Sequence, residues 1–287
     1  MTTALRQQIS HLQRNRAPAA GGRAPARQAK SRHVVSALDA QVAATGHGQL
    51  LVWEKPLSEV WSYGEVVARN LWQALDGAWS LPQAPAGLEP LVEADLEGIG
   101  WLDIESAGFM GRPIFLIGVM RPRGDDLVIT QFLAADYSQE RALLAHCAEA
   151  TEDLQVLVTF NGKCFDLPFL RDRMTYHRVS RRLEVELVDL LWPARRRWRG
   201  VLPDCRLQTL ERHLCRRARP GDIPSALIPE RYHEFVRTQD ASLIAPIMRH
   251  NRLDLLTMAE LAALLLAGEA APAPENQRGG SHAVKAG

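Results

Sequence analysis

The chain has 287 residues, with 34 lysines and arginines against 33 aspartates and glutamates, a formal net charge of +1 at pH 7. This balance excludes a globally basic nucleic-acid-binding protein, so any such binding must come from local patches. The four cysteines form no CxxC pair, which argues against a zinc ribbon or a disulfide framework. Because no run approaches about 18 apolar residues and the N-terminus lacks a signal-peptide core, we expect a cytoplasmic protein without membrane contact.

Both ends of the chain have compositions that predict disorder. Residues 1–44 carry seven basic residues and no acid before Asp39, with too little apolar content to offset the entropy of ordering. We interpret this segment as a disordered basic tail; a basic arm that touches nucleic acid and an organellar transit peptide are the alternatives. Residues 269–287 form a low-complexity segment, interpreted as a second disordered tail.

Residues 45–90 are predicted to form an N-terminal extension packed on the main domain. LLV at residues 50–52 favours the start of a strand, whereas VVARNLWQAL fits either a strand or a short helix. The extension is rich in tryptophan, which serves base stacking in some proteins and core or lid packing in more of them. LPQAPAGLEP predicts a linker to the next region.

Residues 91–268 have the element order of an α/β domain. IGWLDIE, IFLIGVM and DLVITQFLA predict three strands, and the turn SAGFMGRP makes the first two an antiparallel hairpin. A helix, the buried strand LQVLVTF, a helix opened by Asp166, a strand and turn in VELVDLLWPARR, and further helices follow, the last from about Ser242 to Leu266. We therefore expect a mixed sheet, antiparallel in its first three strands and then parallel, flanked by helices.

Four acids lie in or beside apolar segments, where a charge is costly unless something compensates it. Asp103 and Glu105 alternate with apolar residues along one strand and therefore share a face. Asp166 follows a strand at the kind of edge where open α/β sheets bind ligands, and Asp254 lies one helical turn after His250. Converging carboxylates suit hard divalent cations such as Mg²⁺ or Mn²⁺. Taken alone, Asp103 or Asp166 would more often be a cap or a surface residue, and Asp254 would fit an ion-paired helix face.

These segments resemble the DEDD (DnaQ-like) 3′–5′ exonuclease superfamily, which has the ribonuclease-H-like fold. DIES, NGKCFDLPFL and HNRLDLL are similar to its three acidic motifs, in order. The nearest style of sequence is that of YprB-type ribonuclease-H-like domains, to which FLIG, DLLWPARR, LQTLERHL and the DIP segment also correspond. The resemblance spans roughly residues 98–266, and it implies that the mixed sheet is ribonuclease-H-like.

The resemblance also implies a two-metal phosphodiester hydrolysis. Asp103 would bridge both cations, Glu105 and Asp254 would complete one site, and Asp166 would hold the other. His250 would be the general base, with a substrate-orienting or structural role as the alternative. One known subclass places a histidine five residues before the last acid and another a tyrosine four before it, whereas this chain has a histidine four before it.

Several residues near the motifs are candidates for substrate contact, because arginine suits phosphate and aromatic faces suit unpaired bases. A solvated, ion-paired surface is the alternative for the arginines, and a role in the turn is slightly favoured for the asparagine. Phe109, Phe165 and Phe169 could wedge a terminal base, but core packing is the favoured interpretation for them. The leading candidates are Asn161, Arg195, Arg196, Trp198 and Arg199. Neighbouring residues of the same kind are Arg178, Arg181, Arg182, Trp192, Arg197, Arg216, Arg217 and Arg219.

The expected function is 3′–5′ exonucleolytic hydrolysis of single-stranded DNA or RNA that has a free 3′ end. Two alternatives stay open at the level of sequence. One is a catalytically weak nucleic-acid-binding module that keeps the fold, although the presence of all four acids argues against it. The other is a structure-specific endonuclease on the same fold.

Overall fold

A seven-stranded mixed sheet forms the centre of the structure, a computed structural model that describes residues 33–179 and 185–268. The order across the sheet is β1-β2-β5-β4-β3-β6-β7. Neighbours from β1 to β3 are antiparallel, whereas β6 and β7 run parallel to β3. This confirms the predicted ribonuclease-H-like mixed sheet. The strands are β1 Gln41–Thr45, β2 Gly48–Pro56, β3 Ile99–Ser106, β4 Ile114–Arg123, β5 Asp126–Leu133, β6 Val156–Thr159 and β7 Glu186–Asp189.

The apolar pattern explains which strands lie in the middle of the sheet. In β4, the seven residues from Ile114 to Met120 are all buried, as expected for a strand covered on both faces. A two-residue turn joins β4 to β5, and Gly124 adopts a φ of +61° there, which a glycine accepts without steric cost.

Helices cover both faces of the sheet. The segment that fitted either a strand or a helix is the helix α2, and the segment after β7 that was predicted to be a turn is the helix α6, whose apolar residues Leu191, Ala194 and Trp198 are buried. The helices are α1 Leu57–Val60, α2 Gly64–Trp79, α3 Glu89–Glu93, α4 Glu140–Ala150, α5 Asp166–Tyr176, α6 Leu191–Trp198, α7 Leu207–Leu214, α8 Ile228–Thr238 and α9 Ala241–Leu266.

The N-terminal segment belongs to the same sheet as the acidic strand. β1 and β2 form a hairpin, and β2 pairs with β5 from Leu51 opposite Leu133 to Pro56 opposite Val128. The boundaries predicted after residues 44 and 90 therefore fall inside β1 and inside α3, and the extension supplies two strands of the sheet rather than a separate layer. Without β2, β5 would be an edge strand with unpaired backbone N–H and C=O groups, and pairing with β2 covers that edge.

The long helix α9 lies on the face of the sheet that β3 and β4 present. It runs for 26 residues with Pro246 near its start, close to the predicted limits, and it also packs against α2. Within the described residues, no helix is both long enough and apolar enough to cross a membrane. Residues 1–32 and 269–287, for which tails were predicted, lie outside the described part of the chain.

Candidate metal centre

The strand β3 places two carboxylates on one face of the sheet. Asp103 lies opposite Gly118 and Glu105 opposite Leu116 in the antiparallel ladder with β4. The pairing shifts register between Glu105 and Ser106, and such irregularities next to a site re-aim the side chains beside them. Both acids are only partly buried, so they line a surface that a ligand can reach.

Asp166 reaches the same face from the first turn of α5. Its Oδ1 accepts a hydrogen bond from the backbone N–H of Ile104, at 3.3 Å, between the two acids of β3. The loop before it turns at Asn161, whose φ of +64° is an orientation that asparagine tolerates. Asp189, at the end of β7, accepts hydrogen bonds from the N–H groups of Asn161 at 2.7 Å and Lys163 at 3.2 Å, so it holds this loop.

The helix α9 contributes the fourth acid, Asp254, and fixes the first. Asn251 is fully buried and donates from Nδ2 to Asp103 Oδ2 at 2.7 Å and to the Asp103 carbonyl at 3.0 Å. Its Oδ1 accepts from Gln131 Nε2 at 2.7 Å. A Cβ on Gly118 would lie 2.1 Å from Asn251 Oδ1, so a residue with a side chain at position 118 would clash with the asparagine in this position.

The four carboxylates interact electrostatically with one another in every pairwise combination, which shows that they converge on one place. Burial and then repulsion by Asp254 raise the pKa values of Asp103 and Glu105 well above their usual range. Burial raises the pKa of Asp166 to about 7. For Asp254, burial raises the pKa, and the charges of Arg219 and His250 offset part of that rise.

Asp254 has two polar partners on its own side of the cluster. Arg219 Nη2 lies 2.7 Å from its Oδ1, and His250 Nε2 lies 3.5 Å from its Oδ2. His250 is buried, and its other nitrogen, Nδ1, lies 3.0 and 2.9 Å from the two oxygens of Asp222. His250 thus bridges Asp222 and the cluster.

The donor set fits a hard divalent cation. The pKa values of all four carboxyl groups are raised, because the positive charge near them is too small to offset burial and their mutual repulsion. A bound divalent cation would supply that charge, and Mg²⁺ and Mn²⁺ prefer oxygen ligands. In the described ranges, no three acidic, histidine or cysteine side chains stand in a metal-coordinating arrangement. Asn251 holds Asp103 and Arg219 holds Asp254 in their present orientations.

The structure separates the predicted substrate-contacting residues into two groups. Trp198 is 1% exposed and belongs to the hydrophobic core, so its predicted role in stacking on a substrate is wrong: the helical spacing of α6 turns it inward. Arg196 and Arg199 are exposed on the same helix and at its end. Arg195 lies with its guanidinium 5.5 Å from the ring of Trp192, which is 52% exposed and is the accessible aromatic residue of this helix.

Two phenylalanines beside the motifs are exposed, where core packing was the favoured interpretation. Phe165, directly before Asp166, is 63% exposed, and Phe109, in the loop that follows β3, is 94% exposed. Arg178 is described, whereas Arg181 and Arg182, which share its basic segment, lie outside the described residues.

Asn251 and Asp222 were not predicted as site residues from the sequence, and Arg219 was considered only as a possible phosphate contact or surface ion pair, whereas it is buried and pairs with Asp254. Asn251 follows His250 directly, and its role appears only when β4 brings Gly118 opposite it. Asp222 and Arg219 lie in the segment between α7 and α8, about thirty residues before Asp254 in the sequence. The signal that could have pointed to Asp222 is the DIP segment, residues 222–224, which the sequence analysis noted only for its resemblance to YprB-type domains.

Known proteins are similar to this chain over the region that holds the site. A family model described as the RNase_H superfamily matches residues 101–266. YprB of Bacillus subtilis (strain 168) is 32% identical over 166 residues, which are 56% of this chain and 40% of that relative's length. The family B DNA polymerase from the hyperthermophilic archaeon Pyrobaculum calidifontis is similar over 58% of this chain and 24% of that chain, with 20% identity and a TM-score of 0.45.

The match to the family model covers more than half of the chain and includes Asp103, Glu105, Asp166 and Asp254. The arrangement of strands agrees with it, because the antiparallel strands β3, β4 and β5 are followed in the chain by β6 and β7, which run parallel to β3. The chain therefore belongs to the RNase_H superfamily, with a nuclease-type fold and a YprB-type ribonuclease-H-like domain.

Proposed function

We propose that the protein is a divalent-metal-dependent nuclease that removes nucleotides from the 3′ end of single-stranded DNA or RNA. The observation that carries the proposal is the convergence of four carboxylates from three separate segments on one face of a ribonuclease-H-like sheet. Carboxylate charges that are brought together and partly removed from water destabilise the fold unless a positive charge compensates them. A bound cation would provide that positive charge.

The carboxylates are assigned as ligands for two ions, Mg²⁺ or Mn²⁺. Asp103 is assigned as a ligand of both ions, because the charge of each of the other three acids raises its pKa. Asn251 fixes the orientation of its carboxylate. Glu105, Asp166 and Asp254 complete the two positions. When bound, such ions stabilise the negative charge that develops on the oxygens around the phosphorus and orient the scissile phosphate.

His250 is assigned as the general base. Its Nε2 faces the carboxylate cluster, while its Nδ1 is engaged by Asp222, so Nε2 is the nitrogen available to take a proton. A water oxygen forms a bond to phosphorus, the bond between phosphorus and the 3′ oxygen breaks, and one proton of the water passes to Nε2. The departing 3′ oxygen takes up a proton from solvent, and His250 then returns its proton to solvent. The products are a 5′-nucleotide and a strand shortened by one residue with a new 3′ hydroxyl.

Exposed residues around the acids are assigned to the substrate strand. Phe109 and Phe165 offer open aromatic faces for unpaired bases, and Asn161 lies with Phe165 in the loop between β6 and α5. The helix α6 follows β7, which is parallel to β3, so its exposed arginines start from the same edge of the sheet as the acids. Arg195, Arg196 and Arg199 there suit the phosphates of a strand that approaches this edge.

A panel of labelled strands tests this function and its direction. Strands of DNA and RNA labelled at the 5′ end are expected to give a ladder of progressively shortened products with Mn²⁺ or Mg²⁺, whereas 3′-labelled strands are expected to release labelled mononucleotide at once. Circular single strands should stay intact. Cleavage of the circles would show an endonuclease instead, and binding without cleavage under either metal would show the catalytically weak binding module.

A further inference from the structure

The segment between α7 and α8 brings an acid to the face of His250 that points away from the carboxylate cluster. Both oxygens of Asp222 lie within 3.0 Å of His250 Nδ1, and the two side chains are only 10% and 5% exposed. On the opposite side of the ring, Nε2 lies 3.5 Å from Asp254 Oδ2. The imidazole is therefore clamped between an acid inside the cluster and an acid outside it.

The chemistry of the two partners assigns the protons of the ring. A carboxylate can only accept hydrogen bonds, and of the two carboxylates beside the ring only that of Asp222 is at hydrogen-bond distance, 2.9 Å from Nδ1 against 3.5 Å from Nε2 to Asp254 Oδ2. Nδ1 therefore carries the hydrogen that it donates to Asp222. A neutral imidazole has one N–H, which leaves the lone pair on Nε2, the nitrogen that faces the cluster. Asp222 thus selects the tautomer in which the nitrogen nearest the scissile position is the basic one.

Asp222 is itself held in place by a buried ion-pair network. Arg219 Nη1 lies 3.6 Å from Asp222 Oδ2, Arg219 Nη2 lies 2.7 Å from Asp254 Oδ1, and Arg219 Nε pairs with Glu211 of α7. Arg219, Asp254, His250 and Asp222 therefore form a closed ring of polar contacts. Because Arg219 is 5% exposed, solvent does not screen these contacts as it does a surface pair.

We propose that Asp222 is a positioning residue that fixes the orientation and the tautomer of His250. The catalytic consequence rests on the nuclease function proposed above, whereas the tautomer is a property of the folded chain by itself. Nothing in the sequence pattern around His250 specifies this partner, because Asp222 lies 28 positions earlier in the chain.

The substitution Asp222→Asn in the full-length chain tests the catalytic consequence, since it keeps the shape of the side chain and lets its amide donate to Nδ1. That change favours the opposite tautomer, with the hydrogen on Nε2. We expect kcat on a labelled single strand with Mn²⁺ to fall about 100-fold or more, with KM changed by less than about 3-fold. Glu149→Gln is the matched control, because Glu149 also pairs with a histidine, lying 3.3 Å from Nδ1 of His146 on α4, but is distant in sequence from the acidic motifs. This variant should keep the wild-type kcat.

Nitrogen-15 NMR of the histidine side chains tests the tautomer without metal or substrate. We expect the wild-type chain to show Nδ1 of His250 protonated and Nε2 unprotonated at a pH where the ring is neutral, and Asp222→Asn to reverse the two. A wild-type ring protonated on Nε2 would overturn the inference, and so would an Asp222→Asn variant that keeps the wild-type kcat. If the wild-type chain cleaves no strand, the nuclease proposal fails, while the NMR result still decides whether Asp222 sets the tautomer.

Discussion

At the scale of single residues, the centre is electrostatically unfavourable to the fold when no cation is bound. Burial raises the pKa of Asp166 to about 7, and the other three acids are raised as well. A carboxyl whose pKa is higher in the folded than in the unfolded state favours folding only while it is protonated. The free energy of unfolding of the metal-free protein should therefore fall as the pH rises from about 4 to about 7, the ordinary and the folded pKa of Asp166.

The variant Asp166→Asn should remove this pH-dependent loss. At pH 8 without metal, we expect its free energy of unfolding to exceed the wild-type value by on the order of a few kcal/mol, and at pH 4 the two should nearly agree. Urea denaturation at both pH values measures the difference. Asp125→Asn, in the exposed turn between β4 and β5, is the matched control and should change neither value. An Asp166→Asn variant that is less stable than wild type at pH 8 contradicts the electrostatic interpretation.

The two tryptophans of α6 should behave oppositely on substitution. Trp198→Ala removes a buried ring and is expected to cost about 3–5 kcal/mol of folding free energy. Trp192→Ala should leave stability within about 0.5 kcal/mol, because the ring is half exposed, and should weaken binding of a single strand by about 1–3 kcal/mol if bases stack there. Fluorescence anisotropy with a labelled oligonucleotide measures the binding, and an unchanged affinity would place the strand elsewhere.

The acids themselves were predictable from sequence, whereas their supports were not. Asp103 and Glu105 share a strand face by simple alternation, and Asp254 and His250 share a helix face by their spacing. Asn251 acts through a contact that depends on Gly118, a residue more than a hundred positions away, and local pattern carries no information on such a contact. Trp198 was assigned to the substrate because its arginine neighbours suggested a surface, although the helical period of α6 buries it.

At the scale of elements, the distance between α9 and the sheet depends on one glycine. A Cβ at position 118 would lie 2.1 Å from Asn251 Oδ1 and 2.8 Å from Leu255 Cδ1. Gly118→Ala should therefore cost about 1–3 kcal/mol of stability through overpacking and should lower nuclease activity, because it moves the side chain that orients Asp103.

A second glycine provides the control for this substitution. Gly77 is in the exposed part of α2, and a Cβ there would have nothing within 4 Å. Gly77→Ala is expected to stabilise the protein by up to about 1 kcal/mol, since alanine is the better helix former. Thermal unfolding of both variants, with a nuclease assay, measures the contrast. A Gly118→Ala variant with wild-type stability and activity would show that α9 is free to shift.

Most elements of the core followed from apolar periodicity, and the exceptions have physical reasons. The segment that became α2 has apolar residues at both strand and helix spacings, and its burial against α9 selects the helix. The segment that became α6 was expected to be a turn, because Pro193 and three successive arginines interrupt the pattern. Proline is tolerated in the first turn of a helix, so it does not end this one.

At the scale of the whole molecule, the N-terminal strands and helices complete the domain. β2 covers the edge of β5, and α2 packs along α9, so a chain beginning at residue 91 would expose a strand edge and an apolar helix face. We expect a fragment of residues 91–268 to aggregate or to unfold without a cooperative transition, and a fragment of residues 33–268 to unfold cooperatively. Circular dichroism and size-exclusion chromatography measure both. If the fragment of residues 91–268 unfolds cooperatively, the predicted boundary after residue 90 does mark the start of an independent domain.

The four carboxylates are proposed to bind the divalent cations with which the protein hydrolyses a nucleic-acid strand. The rate at which a labelled single strand is shortened in Mn²⁺ by the wild type, by Asp103→Asn and by the control Asp125→Asn tests this role. We predict that the wild type and the control degrade the strand at equal rates, that Asp103→Asn loses activity by about 1,000-fold or more, and that a chelator stops all three. Equal rates for Asp103→Asn and the wild type, or activity that persists in the chelator, would contradict the claim.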